Sequence, residues 1–217
     1  MKIIQNPSQE NWSEILKRPT QTIDDIEATV NEIFTEVKSK GNQAIEKYTS
    51  LFDGISLSNL EVSNKEIEAA EKEVSAELKE AIQLAKENIT KFHLAQKTER
   101  VEVETQKGVQ CWQEKRPIQK VGLYIPGGSA PLFSTILMLA VPANIAGCKE
   151  IVLCTPPNKE GKVNPAILYT ANLCGVTKIF KVGGIQAIAG MTFGTESIKK
   201  VYKIFGPGNQ FVTVAKQ

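Results

Sequence analysis

The sequence predicts an α/β protein: a helical N-terminal region plus a β-hairpin, then a domain built on a parallel sheet. Three observations carry this. Apolar residues recur at helical spacing between Ile23 and Phe92. Strict alternation then flanks Lys107-Gly108, the pattern of two strands joined by a tight turn. After Lys120, short apolar runs alternate with longer helical segments, as in strands connected by crossover helices. The boundaries that follow are an N-terminal arm at 1–20, the helical part with its hairpin at 21–120, and the sheet domain at 121–217.

In the arm, Trp12, Ile15 and Leu16 form a small apolar docking edge, and Pro19 ends the segment. Thr22 with Asp25 resembles a capping box, and Ile23, Ile26, Val30, Ile33, Phe34 and Val37 share one helical face. Gly41 closes that helix at the C′ position. A short helix carries Ala44, Ile45 and Tyr48, and Phe52-Asp53-Gly54 turns the chain. Ser63 with Glu66 forms a second capping box, and Ser75 restarts the helix. Ile67, Val74, Leu78, Ile82, Ala85, Ile89 and Phe92 form its buried stripe, with charges on the solvated side. His93 reads as a helix-end residue rather than a ligand, since a cation is favoured there. Trp112 packs on the hairpin or stacks on a substrate.

In the sheet domain the strands read as 121–125, 150–154, 177–181 and 201–205, and the helices as about 132–147, 164–174 and 185–193. The chain has 217 residues, 41% hydrophobic and 23% charged, which is ordinary globular composition. It opens without a basic, then apolar, leader, so no secretory signal is expected. The longest apolar stretch, Leu132 to Cys148, is too short for a membrane span and is broken by Pro142 and Asn144. No membrane association is expected. Residues 1–100 carry 13 Lys/Arg against 18 Asp/Glu, and residues 101–217 carry 13 against 6. The basic second half suits an anionic ligand, or is balanced by another segment. No Lys/Arg cluster with interleaved aromatics points to nucleic acid.

The four cysteines, Cys111, Cys148, Cys154 and Cys174, form no C-x-x-C pair, and His93 is the single histidine. No zinc site is expected from this chain, because zinc needs three or four converging ligands. Cys148, Cys154 and Cys174 sit among apolar residues and read as buried free thiols, which fits a cytoplasmic location.

Ligands of open parallel sheets sit at the carboxyl ends of the strands. Those ends read Tyr124-Ile125-Pro126-Gly127-Gly128-Ser129, Thr155-Pro156-Pro157-Asn158, Val182-Gly183-Gly184-Ile185-Gln186 and Gly206-Pro207-Gly208-Asn209-Gln210. Three of the four carry a glycine pair or near-pair with a small polar side chain. Glycine admits a ligand close to the backbone, and free N–H groups at helix starts attract anions. No G-x-G-x-x-G fingerprint or phosphate-loop Lys-Ser/Thr occurs, and no Asp follows Asp53 to hold ribose hydroxyls. Tyr124 contacts a ligand or is a half-buried strand tyrosine. Gln186 and Asn209 bond a ligand or cap helix starts. Ser129 lacks a nucleophile elbow and reads as a helix cap. The residues by themselves reach an α/β domain with a nucleotide or phosphate site.

Taken together, "GLYIPGGSAPLFSTILMLAVPANIAGC", "IVLCTPP", "VGGIQAIAGMTFGT" and "KIFGPGNQFVTVAK" resemble the histidinol dehydrogenase family, in that family's order and spacing. "VNEIFTEVKSKGNQAIEKYTSLFDG" and "EKRPIQKVGLYIPGG" are similar to it as well, so the resemblance spans almost the whole chain. It implies NAD⁺-dependent oxidation of L-histidinol to L-histidine through an enzyme-held aldehyde, by a zinc-dependent homodimer acting last in histidine biosynthesis. It implies that the sheet domain is an incomplete Rossmann-like, NAD-binding unit of the aldehyde-dehydrogenase-like (ALDH-like) class. NAD contacts carry over to Tyr124, Gln186 and Asn209. Cys111 and Cys148 match family cysteines without an assigned role. Family members continue for about as long again beyond the motifs matched here. That later half supplies the zinc ligands and the Glu-His pair for proton transfer, and closes the discontinuous first domain. No catalytic or metal-binding residue is therefore assigned here, the chain alone is expected to be inactive, and apolar helix surface is expected to be exposed.

Two other readings compete. One is a nucleotide-binding or regulatory module without catalysis. The other, an aldehyde dehydrogenase-like enzyme, is weakened because Cys154 lies within a buried strand rather than in an electropositive loop.

Overall fold

The computed structural model describes residues 3–17, 23–57, 59–128 and 130–217. Pro19, Thr22 and Ser129, on which a helix stop and two caps are expected, lie outside the described residues. A 3₁₀ turn at Gln9–Asn11 runs into α1 (Trp12–Ile15). The helices α2 (Ile23–Lys40), α3 (Asn42–Asp53), α4 (Asn64–Glu73) and α5 (Ala76–Ala95) precede a hairpin of β1 (Glu102–Gln106) and β2 (Val109–Trp112). Then come β3 (Lys120–Tyr124), α6 (Phe133–Ala146), β4 (Glu150–Thr155), α7 (Pro165–Leu173), β5 (Lys178–Lys181), α8 (Gly184–Phe193), β6 (Lys203–Phe205) and α9 (Gln210–Ala215). The α/β class is as the sequence predicts.

The caps show why the helices start where they do. The Ser63 hydroxyl accepts from Glu66 N–H, and the Glu66 carboxylate accepts from Ser63 N–H, a reciprocal box. Val74 leaves helical geometry, and Ser75 caps α5 by accepting from Leu78 N–H. Gly41 closes α2 on Val37 and also begins α3, whose first N–H, from Asn42, donates to Glu196 at 2.7 Å. The α2–α3 pair is further tied by Glu36, which accepts from Lys40, Lys47 and Tyr48; these bonds bring its carboxyl down to about 2.

β3, β4, β5 and β6 form one parallel sheet in the order β5-β4-β3-β6. Numbered from the first strand, that order is 3-2-1-4, the opening of the Rossmann arrangement. The outer edge of β5 is covered by residues 60–62, through Val62 N–H to Ile179 O and Lys181 N–H to Leu60 O. Helices cover both faces of the sheet. α2 and α3 pack with α8 and α9 over one face, around Ile33, Ile45, Phe180 and Ile188. α4 and α5 pack with α7 and α6 over the other, around Ile82, Leu123, Ile136 and Leu153. The N-terminal helices thus belong to the same two cores as the sheet.

Some sequence expectations change. Phe92 leaves the buried stripe: it is 64% exposed, with its ring edge-on to His93. The fourth strand is shorter than 201–205, because Val201 and Tyr202 precede the ladder. Cys154 and Cys174 are buried free thiols as expected, and burial raises both, Cys174 to about 11. Cys148 is only half-buried. Exposed apolar helix surface is present at Leu51, Leu84 and Leu94.

Candidate functional site

The point where strand order reverses lies between β3 and β6, and a crevice is expected there at the carboxyl ends. A cavity of about 400 Å³ opens at this place. Tyr124 and Gly127 reach it from β3, Pro156 from β4, Gly184 from β5 and Asn209 from β6, so all four strand ends converge on it. Asp53 comes to it from the last residue of α3.

Tyr124 is a buried strut rather than a half-buried residue. Its side chain is 4% exposed, and its hydroxyl accepts from Gly184 N–H at 3.0 Å. Burial raises its phenol, the Gly184 bond opposes this, and the nearby Asp53 charge adds to the rise. The hydroxyl keeps its own proton to donate. Asn209 caps α9, its Oδ1 accepting from Val212 N–H at 3.1 Å. The cap uses only the amide oxygen, and the residue still lines the cavity. Gln186 caps nothing: it is 1% exposed, and neither amide atom has a partner. It stands outside the cavity lining, beside Gly184, where a Cβ would lie 2.8 Å from Gln186 Oε1. The structure thus brings Tyr124 and Asn209 together and leaves Gln186 one layer back.

The strand-end glycines serve packing before they serve any ligand. A Cβ at Gly127 or Gly183 would meet Pro156 at 2.7 Å or 2.6 Å, and one at Gly206 would collide with the Tyr124 carbonyl oxygen. Only Gly128 faces open space. Anion-attracting character comes instead from α8, whose start has no side-chain cap, so first-turn N–H groups beyond Gly184 remain for a ligand. Among the described residues, none lining the cavity is Lys or Arg.

Asp53 is the residue that sequence reasoning missed, because the search for an acid covered only the strand ends. Its Oδ2 is sealed from solvent without a hydrogen-bond partner, and burial raises the carboxyl. Leaving such an oxygen unsatisfied costs about 1–3 kcal/mol or more. A signal was present in the sequence: an unpaired carboxylate in the last turn of a helix opposes the macrodipole, so its placement there needs another cause.

A larger cavity, about 780 Å³, lies against the other face of β3, lined by Val121 and Leu123, by Pro142 of α6, and by Lys97, Arg116 and His93 at its edge. It gathers no unsatisfied polar group, so the strand-end cavity is the stronger ligand site. Among the described residues, no three His, Cys, Asp or Glu side chains are placed to hold a metal ion. The described residues therefore do not fit zinc. His93 is bonded to Gln96 at 2.7 Å on the surface. Among the described residues, no helix is long and apolar enough to cross a membrane.

Fold and cavity define a class: a parallel α/β domain of Rossmann strand order with a crevice at the switch point. Comparison with known proteins narrows it. A family model described as histidinol dehydrogenase matches residues 16–217, and the chain belongs to that family. It is 58% identical over 217 residues to the histidinol dehydrogenase of Bacteroides thetaiotaomicron, covering 100% of this chain and 51% of that protein. The Escherichia coli K12 histidinol dehydrogenase is 54% identical over 209 residues, 96% of this chain and 47% of its own length. A crystal structure of histidinol dehydrogenase from Elizabethkingia anophelis superposes with a TM-score of 0.89 at 55% identity, over 98% of this chain and 49% of that one. The chain thus spans about half the length of the relatives it matches.

Proposed function

We propose that this chain is the NAD-binding part of an enzyme that oxidises L-histidinol to L-histidine through the aldehyde, in histidine biosynthesis. The observation that supports it most is the convergence of four strand ends on one cavity at the switch point, in a member of this family. NAD⁺ supplies the hydride acceptor for both oxidations. In this reading Asn209 offers its amide to the dinucleotide, the open first turn of α8 receives its phosphates, and Tyr124 holds that turn in place while presenting its hydroxyl proton. Gln186 turns its unpartnered amide toward the ligand once the site is filled. In this reading the acid-base and zinc chemistry is supplied by residues other than those described. A cytoplasmic homodimer is the expected working form.

Calorimetric titration of the purified chain with NAD⁺ tests the reading. Saturable binding is expected, weakened about tenfold in both Asn209→Ala and Gln186→Ala, with thermal melts separating this from loss of the α9 cap, worth about 1 kcal/mol. No turnover is expected when the same chain meets histidinol, NAD⁺ and zinc. Absence of NAD⁺ binding would overturn the cofactor assignment, and turnover would overturn the placement of the proton-transfer groups.

A further inference from the structure

Between the end of β5 at Lys181 and the start of α8 at Gly184 lie only Val182 and Gly183. Gly184 has φ +63°, and two successive glycines give this turn little stiffness of its own. Its far end is fixed by the Gly184 N–H bond to Tyr124. Its near end is Lys181, where the ladder with β4 stops at the Thr155 pairing. By strand alternation Lys181 faces the same core as Ile179, under α4 and α7, and it is 8% exposed. An apolar side chain would satisfy such a position by packing alone. Lysine instead brings a charge that must be paired. Its Nζ donates to Glu66 Oε1 at 3.0 Å, while Glu66 Oε2 accepts from the Ser63 N–H and hydroxyl at the start of α4. Burial pushes the Glu66 carboxyl up, but the Ser63 and Lys181 bonds outweigh it and bring the group below its ordinary value. The Lys181 N–H also donates to Leu60 O at 2.8 Å, so residues 60–66 hold both the backbone and the side chain of Lys181.

A buried ion pair is a poor way to stabilise a fold, because desolvating two charges offsets their attraction and an apolar pair of similar volume often does as well. What it adds is direction: a charge-assisted hydrogen bond fixes an angle, whereas apolar burial is non-directional. We propose that the Lys181–Glu66 pair is a positioning tether: it sets the direction in which the chain leaves β5, and so holds the turn at 182–184 and the first turn of α8 against Tyr124. Both residues lie outside the described lining of the strand-end cavity, so they act on it through the turn. Without the tether, Gly183 and Gly184 let the turn sample other directions, while Ile179 and Phe180 still anchor β5 in the two cores. The effect on the turn stands on geometry alone, and only the effect on NAD⁺ affinity rests on the cofactor reading above.

The test compares the chain with its Lys181→Met and Glu66→Gln variants by urea unfolding, hydrogen exchange read by NMR, and calorimetry with NAD⁺. Lys181→Met removes the pair and keeps most of the volume. Glutamine still serves a capping box, so Glu66→Gln removes the charge and keeps the start of α4. In both variants the Gly184 amide is expected to exchange about tenfold faster, with amides of β4 and α4 unchanged. NAD⁺ binding is expected to weaken about tenfold, because the turn is no longer pre-organised. The urea midpoint of Lys181→Met is expected at or above that of wild type. Wild-type exchange at Gly184 in a folded variant overturns the proposal. So does faster exchange shared equally by β4 and α4, which marks the pair as a general structural tie. If Lys181→Met does not fold, Glu66→Gln decides by the same two criteria. Faster Gly184 exchange with unchanged NAD⁺ affinity upholds the tether and counts against the phosphate contacts assigned to α8. If wild type binds no NAD⁺, the cofactor reading falls and Gly184 exchange still decides the tether.

Discussion

The rim of the parallel sheet and the β1–β2 hairpin are both short strands ending in glycine turns, yet their surroundings are opposite. Past Lys120 every residue of β3 is buried, whereas every residue of β1 and β2 is exposed. At the rim, turn atoms lie against the next strand's backbone, and one hydroxyl joins β3 to the start of α8. At the hairpin, the ladder and an Arg100–Trp112 contact at 5.7 Å hold the strands. A glycine turn is therefore a fixed part of a site only where neighbours crowd it. The hairpin ladder carries a register shift between Glu104 and Gln106, whereas the parallel ladders of the sheet run without one.

A pair of matched substitutions gives the largest expected contrast. Gly206 has φ +140°, and its Cβ would strike the Tyr124 carbonyl oxygen and backbone. Gly108 has φ +83° but nothing within 4 Å of its Cβ position. Urea unfolding should show Gly206→Ala losing more than about 3 kcal/mol, from overpacking added to backbone strain. Gly108→Ala should lose only the conformational cost, about 1 kcal/mol. Equal losses would erase the distinction between the two turns.

Tyr124→Phe sharpens the rim's side of the comparison. The phenyl ring keeps the packing, but Gly184 N–H loses its acceptor in a buried setting. A loss of about 1 kcal/mol is expected, together with weaker NAD⁺ binding, because the first turn of α8 is no longer anchored. A melt identical to wild type would mean that Gly184 N–H finds another partner and that the strut does not organise the rim.

Much of this was legible in the sequence, and the limits have physical causes. Periodicity placed the helices because an amphipathic stripe encodes its own buried face, as with Ile26, Val30, Ile33 and Val37 on α2. Capping at Ser63 and Ser75 was readable because a cap is a local hydrogen bond. Tyr124 and Asn209 were candidates because parallel sheets put ligands at strand ends, and both line the cavity there. Asp53 was not, since only the tertiary packing of α3 beside the rim makes it a neighbour of Tyr124. The glycines were assigned to ligand approach, but their packing against Pro156 and Tyr124 depends on strand register, which no local pattern specifies.

The smallest effect is expected at the far end of the hairpin. Trp112 is 57% exposed, with Arg100 over its ring as the aromatic contact it makes. An exposed cation–π pair is worth about 0.5–1 kcal/mol, and part of that is recovered when the guanidinium returns to water. Trp112→Ala should therefore shift urea unfolding by about 0.5 kcal/mol or less, far below the change at Gly206. The same residue also decides between packing on the hairpin and stacking on a substrate. It lies outside the residues lining the strand-end cavity, so NAD⁺ affinity should be unchanged in Trp112→Ala. A loss above about 1 kcal/mol, or a tenfold drop in NAD⁺ affinity, would show that the hairpin folds back over the rim in solution, and the contrast between the two regions would fail.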